Sequence, residues 1–342
     1  MIDTKKLQDW YRQNKRNLPW RNTTDPYKIW LSEIILQQTR VAQGLPYYEA
    51  FIQNYPTVAD LAVADEQAVL KVWQGLGYYS RARNLHYTAR DIVQNYQGKF
   101  PDNYKDLLKL KGVGTYTAAA VASFCYQEPV AVVDGNVYRV LARFYGLDVP
   151  INTTQGKKIF AGLAQKILDR KHPALHNQAI MEFGALHCTP AQPACSNCPL
   201  SVQCVAYQTG TVAKLPVKLP KIKVKKRYLH YFVIENKEQL LLQKRQGKGI
   251  WQNLYELPLL ETNQARKLKP AELGVFLKDL HIDKFIINQP EVIIHKLTHQ
   301  HLHIHFWHIK VAGNLPAGIL KRDLHQYPMP IVIANFLDNN IL

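Results

Sequence analysis

The sequence predicts a multidomain protein: an all-α domain over residues 1–213, a basic linker at 214–227 and an α+β domain over 228–342. Three observations carry that expectation. Apolar residues recur at the 3.6-residue helical period through the first 213 positions, broken by short Gly, Pro and Asn turns. The segment 214–227, KLPVKLPKIKVKKR, brings seven basic residues, no acidic one and two prolines, which suits an extended tether along phosphate better than a helix. Beyond it the period shortens to two, as in strands.

In the first domain, Asp25-Pro26 reads as an N-cap followed by proline at the first helical position, opening a helix over 26–38. An apolar run at 130–133 is the one strand-like stretch there. In the second domain, 228–234 and 239–244 flank a turn at 235–237 and predict a hairpin. The stretch 299–310 alternates, with His299, His301, His303 and His305 on one face and Leu302, Ile304 and Phe306 on the other. Imidazoles in such a row face solvent or phosphate, or hold a metal; neighbours on one strand seldom converge on one ion, which favours the first.

Lys and Arg number 43 against 26 Asp and Glu, a formal charge of +17, and such an excess points to a polyanionic partner. No apolar run approaches the ~18 residues of a spanning helix, so the partner expected is nucleic acid rather than membrane, and the location cytoplasmic and nucleoid-associated. With 47% hydrophobic and 11% aromatic residues the chain packs rather than staying disordered.

Four of the five cysteines fall within 17 residues, Cys188, Cys195, Cys198 and Cys204, spaced C-x6-C-x2-C-x5-C. Such local thiols are metal ligands rather than a disulfide framework. One tetrahedral zinc or one 4Fe-4S cubane satisfies the count, and the single C-x2-C pair tilts towards the cubane. Cys125, in an apolar run, reads as a small buried hydrophobe. LKGVGTY at 110–116 joins two helical segments, and Gly112, Val113 and Gly114 either simply turn the chain or present backbone N–H groups to a phosphate.

Glu33 sits in the apolar stripe of its helix, with Ile29 and Trp30 before it and Leu36 and Gln37 after. A desolvated carboxyl there holds a proton towards neutral pH, as a general acid must, unless a neighbour simply satisfies it. Asp134, at the head of DGNVYRVLAR, is an N-cap residue or the second carboxylate of a pair with Glu33.

The motifs LPWR at 18–21, WLSEIILQQT at 30–39, GLGYYSRARNL at 75–85, LKGVGTYTA at 110–118, VDGNVYRVLAR at 133–143 and the four-cysteine loop together resemble the helix-hairpin-helix DNA glycosylases. Within that superfamily they are similar to the MutY-type adenine glycosylases, which remove adenine mispaired with 8-oxoguanine. The resemblance runs from about residue 7 to 204. It implies Glu33 as the acid, Asp134 as the carboxylate facing the sugar, and Tyr116 and Asn136 as supports. It places Arg21 on the adenine pocket, Gln38 in the duplex, and Leu76 with Tyr78 as a wedge near the oxidised guanine. It assigns the four cysteines to a 4Fe-4S cluster and implies double-stranded DNA with A:8-oxoG or A:G mispairs as partner, bound by a monomer.

Relatives that also cut the strand carry a lysine where Tyr116 stands, so the resemblance implies a monofunctional enzyme that leaves an abasic site. The second domain resembles Nudix domains through Gly249-Ile250-Trp251 and Tyr255-Glu256-Leu257-Pro258. The continuation LLETNQARKLKPAELG lacks the glutamate cluster that would hold divalent metal, which implies binding without Nudix hydrolysis. Thr298-His299 falls on the family's Phe-Ser-His loop at the damaged guanine, with Leu297 and Thr298 in place of Phe and Ser. A lyase of the same fold and a non-enzymatic redox sensor are the competing readings, and the second needs neither Glu33 nor Asp134.

Overall fold

The computed structural model describes residues 1–220, 224–280, 282, 285–313, 315 and 317–341. It divides into two compact units, Met1–Val63 with Asn84–Pro220, and Ala64–Arg83 with Lys221–Leu342. The segment 64–83, inside the stretch expected to be the helical domain, groups with 221–342. Within that unit Asn253 Nδ2 donates to Glu66 Oε1 at 2.6 Å, Tyr255 hydroxyl to Gln67 Oε1 at 3.1 Å, and the Met329 amide to Gln74 Oε1 at 2.9 Å.

The first unit is helical throughout its regular structure. Capping fixes where helices start: Asp3 accepts from the Lys6 amide, Asp25 from Tyr27, Asn103 from Asp106 and Thr153 from Gly156. A core built on Leu7, Tyr11, Leu141, Phe160 and Phe183 gathers the Thr4–Asn14, Gly135–Tyr145, Thr154–Ile167 and Pro173–Leu186 helices. Residues 130–133 form no strand; the Ala131 and Val132 amides are satisfied by the side chains of Gln165 and Asn177 instead. The helix expected over 26–38 is Pro26–Ile35, because Gln38 takes a left-handed φ of 56°.

The expected linker is not a free tether. Leu215 is buried in the helical core, the Val217 carbonyl accepts from Ile151 N at 3.0 Å, and Leu219 N donates to Asn152 Oδ1 at 2.9 Å. Residues 221–223 lie outside the described residues, and Lys225–Glu235 is already a strand.

The second unit carries a seven-stranded mixed sheet among its described residues. Lys225–Glu235 runs parallel to Gln300–Val311 along its whole length and antiparallel to Leu259–Thr262. The expected hairpin shrinks to the single pair Glu235–Leu240: Gln239–Leu241 pairs with Gly318–Leu320, and Gln243–Lys244 with Tyr255–Glu256. The cause is burial on both faces. Tyr231, Phe232, Val233 and Ile234 are wholly enclosed, the continuous apolar run of a central strand rather than an alternating hairpin arm. Phe276 of the Pro270–Asp279 helix packs on Phe232 from one side, and Phe336 of Ile331–Asn340 stacks on Phe306 from the other.

Candidate active site

Three elements of the first unit bring their polar groups to one cavity of about 180 Å³. The Pro26–Ile35 helix contributes Glu33, 6% exposed. Thr115–Tyr126 contributes Tyr116 from its first turn, and Gly135–Tyr145 is capped by Asp134. Burial pushes the Glu33 carboxyl up to about 7; the hydrogen bond from the Tyr116 hydroxyl opposes this, nearby Asp134 adds to it and the Arg21 charge opposes it. Tyr116 itself is held far above its ordinary value, first by burial and then by the two carboxyls, so it remains a neutral phenol.

Asp134 does two things at once. Its Oδ1 accepts from the Asn136 and Val137 amides at 2.9 and 2.8 Å, and its Oδ2 from Asn136 Nδ2 at 2.8 Å. It therefore caps its helix and also faces Glu33. Burial raises its pKa while those donors, which favour the carboxylate, pull it back. Burial thus raises both carboxyls of the shared cavity, and at Asp134 three donors from Asn136 and Val137 oppose it.

Asn136 is fixed by Arg139 Nη2 at 2.8 Å on its Oδ1, and Arg139 Nε reaches the Cys188 carbonyl at 2.7 Å. Gly184 of the Pro173–Leu186 helix lies so close that a Cβ there would stand 2.7 Å from Asn136 Cβ. Arg21 lines the cavity, but its guanidinium is taken: it makes a paired hydrogen bond to Glu182, at 2.7 and 2.5 Å, and Arg16 shares that carboxylate. Glu182, Gly184 and Arg139 escaped the sequence reading. A signal for Glu182 existed, since it interrupts the apolar text AIMEFGAL much as Glu33 interrupts its own stripe.

Cys188, Cys195, Cys198 and Cys204 line a second cavity in the same unit, walled by Val140, Phe144, Phe183 and Leu200. Arg143 Nη1 lies 3.5 Å from Cys188 Sγ and also holds the Thr189 carbonyl at 2.7 Å. Among the described residues no three His, Cys, Asp or Glu side chains converge closely enough to hold a metal ion. Burial first, and then the neighbouring thiols, raise the pKa of Cys195, Cys198 and Cys204.

The hairpin at 110–116 turns at Gly112, φ 78°, where a Cβ would meet Asn84 Cβ at 2.8 Å. Val113 is buried and its amide bonds the Leu110 carbonyl, whereas Gly114 is exposed at the uncapped start of Thr115–Tyr126. Gln38 is exposed at its left-handed turn.

The second unit holds a cavity of about 520 Å³ lined by Tyr78, Arg83, Trp251, Thr298 and His299. The Tyr78 and Thr298 hydroxyls hydrogen-bond at 2.5 Å. Tyr78, 43% exposed, is held at φ 48° between Gly77 and Tyr79, while Leu76, expected beside it as a wedge, is buried. His301, His303 and His305 are half-buried, with His303 stacked on Tyr228 and His305 on His230. His299 stands apart from that stack, exposed at the turn before the strand.

Residues 31–166 match the HhH-GPD superfamily of base excision DNA repair proteins, and residues 230–339 match the NUDIX domain. The adenine DNA glycosylase of Buchnera aphidicola subsp. Schizaphis graminum is 35% identical over 299 residues, covering 86% of this chain and 84% of the relative. That of Arabidopsis thaliana is also 35% identical, over 86% of this chain and 54% of its own length, and the human one 43% identical over 59% and 39%. Among solved structures, a thermostable thymine-DNA glycosylase superposes with a TM-score of 0.57 at 30% identity, over 61% of this chain and 96% of its own. An endonuclease III–DNA complex, with a TM-score of 0.52 at 21% identity over 61% and 99%, shares the fold.

Proposed function

Since the chain belongs to the adenine DNA glycosylases, base excision repair enzymes that hydrolyse N-glycosyl bonds, we propose that it removes adenine paired with 8-oxoguanine or guanine and leaves the strand intact. The observation that carries this reading is the buried, Tyr116-bonded Glu33 with a pKa of about 7 beside a donor-rich Asp134. Adenine leaves poorly as an anion. A proton from Glu33 to a ring nitrogen turns it into a neutral leaving group. The C1′–N9 bond then breaks with its electron pair going to N9, and positive charge grows on the sugar, where the Asp134 carboxylate stabilises it. Water adds to C1′ and its proton returns to Glu33, which closes the cycle.

The buried position of Glu33 requires the base to leave the helix stack. Gln38, exposed on a left-handed turn, fills the gap, and Gly112, Val113 and Gly114 seat a phosphate at the start of Thr115–Tyr126. Tyr78, Thr298 and His299 read the opposing base in the second unit. Tyr116 offers a phenol and no amine, so no Schiff base forms at that position. Cys188, Cys195, Cys198 and Cys204 hold a 4Fe-4S cluster, which when bound supplies a rigid thiolate-ligated anchor for the loop at 188–204. A monomer suffices for one lesion.

Single-turnover assays on duplexes with adenine opposite 8-oxoguanine, adenine opposite guanine, and an oxidised pyrimidine test the proposal. Adenine loss that becomes strand cleavage only after alkali is the expected result. Cleavage of the pyrimidine strand without alkali would replace it with lyase activity. Purified protein carrying zinc without iron would overturn the cluster assignment.

A further inference from the structure

Glu182 lies on the Pro173–Leu186 helix with its side chain 1% exposed, on the wall of the same cavity as Glu33. Its carboxylate takes five hydrogen bonds. Oε1 accepts from the Arg16 amide at 3.0 Å, Arg16 Nε at 2.9 Å and Arg21 Nη1 at 2.7 Å; Oε2 accepts from Arg16 Nη2 at 2.6 Å and Arg21 Nη2 at 2.5 Å.

We propose that Glu182 is a positioning residue for the acid: by clamping Arg21 and Arg16 it keeps their charge from drawing the proton off Glu33, an inference that rests on Glu33 acting as that acid. An uncompensated guanidinium near a buried carboxyl favours its ionised form, and a carboxylate paired with that guanidinium cancels most of its field. Even in the clamped state the Arg21 charge works against the Glu33 proton. The other groups facing Glu33 are the Tyr116 phenol from Thr115–Tyr126, Asp134 from the cap of the next helix, and Cys125, whose thiol is held neutral chiefly by burial. None of them is cationic, so Arg21 is the positive charge on Glu33 that needs balancing, with Arg16 on the same cavity wall. Burial alone would raise Glu182, but the bonds from Arg21 and Arg16 overcome it and bring it to about 2, which leaves it a carboxylate throughout the working range.

The test is the pH dependence of single-turnover adenine release from an A:8-oxoG duplex under saturating protein, for native, E182Q, R21Q and E182Q/R21Q. For E182Q we expect the alkaline limb to move down by about one pH unit or more, with rate recovered on acidification. R21Q should move the limb up, and the double variant should return it towards the native position. A uniform loss at every pH, or a limb in E182Q that stays in place, would show a merely structural role and overturn the proposal. If E182Q does not fold, R21Q decides, because an unmoved limb there also overturns it. E33Q separates the two levels: native release by E33Q defeats the acid assignment itself, whereas an inactive E33Q with an unmoved E182Q limb defeats only the role of Glu182.

Discussion

A carboxyl that holds its proton to about pH 7 inside the fold but only to its ordinary value of 4.5 outside it works against stability once ionised. For Glu33 the sign is that of a raised group. Its contribution is fully present below pH 4.5 and is lost as pH rises to about 7, because over that window the folded chain holds a proton that the unfolded chain has released. At 1.36 kcal/mol per unit the shift corresponds to about 3 kcal/mol. The stability of E33Q relative to native should therefore rise by about that amount as pH goes from 4.5 to above 7, while base release falls about 10²- to 10⁴-fold. Chemical denaturation at several pH values reads the first part, and parallel stability curves for the two proteins would contradict it. Glu33 was legible in the sequence because one charge inside an apolar stripe is a local anomaly. The double ion pair of Glu182 was not: Arg16 and Arg21 lie 166 and 161 residues away from it, and no periodicity reports such a meeting.

At the scale of elements, the Pro173–Leu186 and Gly135–Tyr145 helices touch at one point where only glycine fits. A methyl on Gly184 would stand 2.7 Å from Asn136 Cβ and 2.9 Å from its carbonyl oxygen, so the helices must part or Asn136 must move. Asn136 Nδ2 is a donor to Asp134, and the strain reaches the carboxylate directly. Gly184→Ala should cost about 1–3 kcal/mol as overpacking, and a displacement near 1 Å at Asp134 should slow base release by roughly 10²-fold. Thermal unfolding and single-turnover rates check the pair; a destabilised variant with native rate would separate packing from catalysis and refute the link. Helix starts were readable because Asp3, Asp25 and Asp134 announce themselves locally as caps. The parallel pairing of Lys225–Glu235 with Gln300–Val311 was not, since its partners are 75 residues apart in register and the strand's burial on both faces erases the alternation that marks a hairpin. The grouping of 64–83 with 221–342 was equally hidden, since no local pattern in those residues reports partners so far along the chain.

For the molecule as a whole, a charge of +17 and a 180 Å³ cavity do different work. Charge binds any duplex by releasing counterions, so affinity should fall about 10³- to 10⁵-fold between 50 and 200 mM salt if six to ten phosphates are engaged. That term is blind to the opposing base. The proposed preference for 8-oxoguanine would have to come from groups that meet the atoms distinguishing it from guanine: a donor at N7, where guanine has an acceptor, and an added oxygen at C8. In the second unit the hydroxyls of Tyr78 and Thr298 share one hydrogen bond at 2.5 Å, which leaves oxygen lone pairs to accept from such a donor. Thr298→Ala removes one of the two acceptors and frees Tyr78 from its partner. The ratio of adenine release opposite 8-oxoguanine to release opposite guanine should then fall by roughly tenfold, the worth of one hydrogen bond of about 1–1.5 kcal/mol. Neither the salt slope nor the alkaline limb set by Glu33 should change, because both belong to groups elsewhere in the chain. A ratio left at its native value, with Thr298→Ala folded, would mean that the opposing base is read by other contacts and would remove the 520 Å³ cavity from the recognition step.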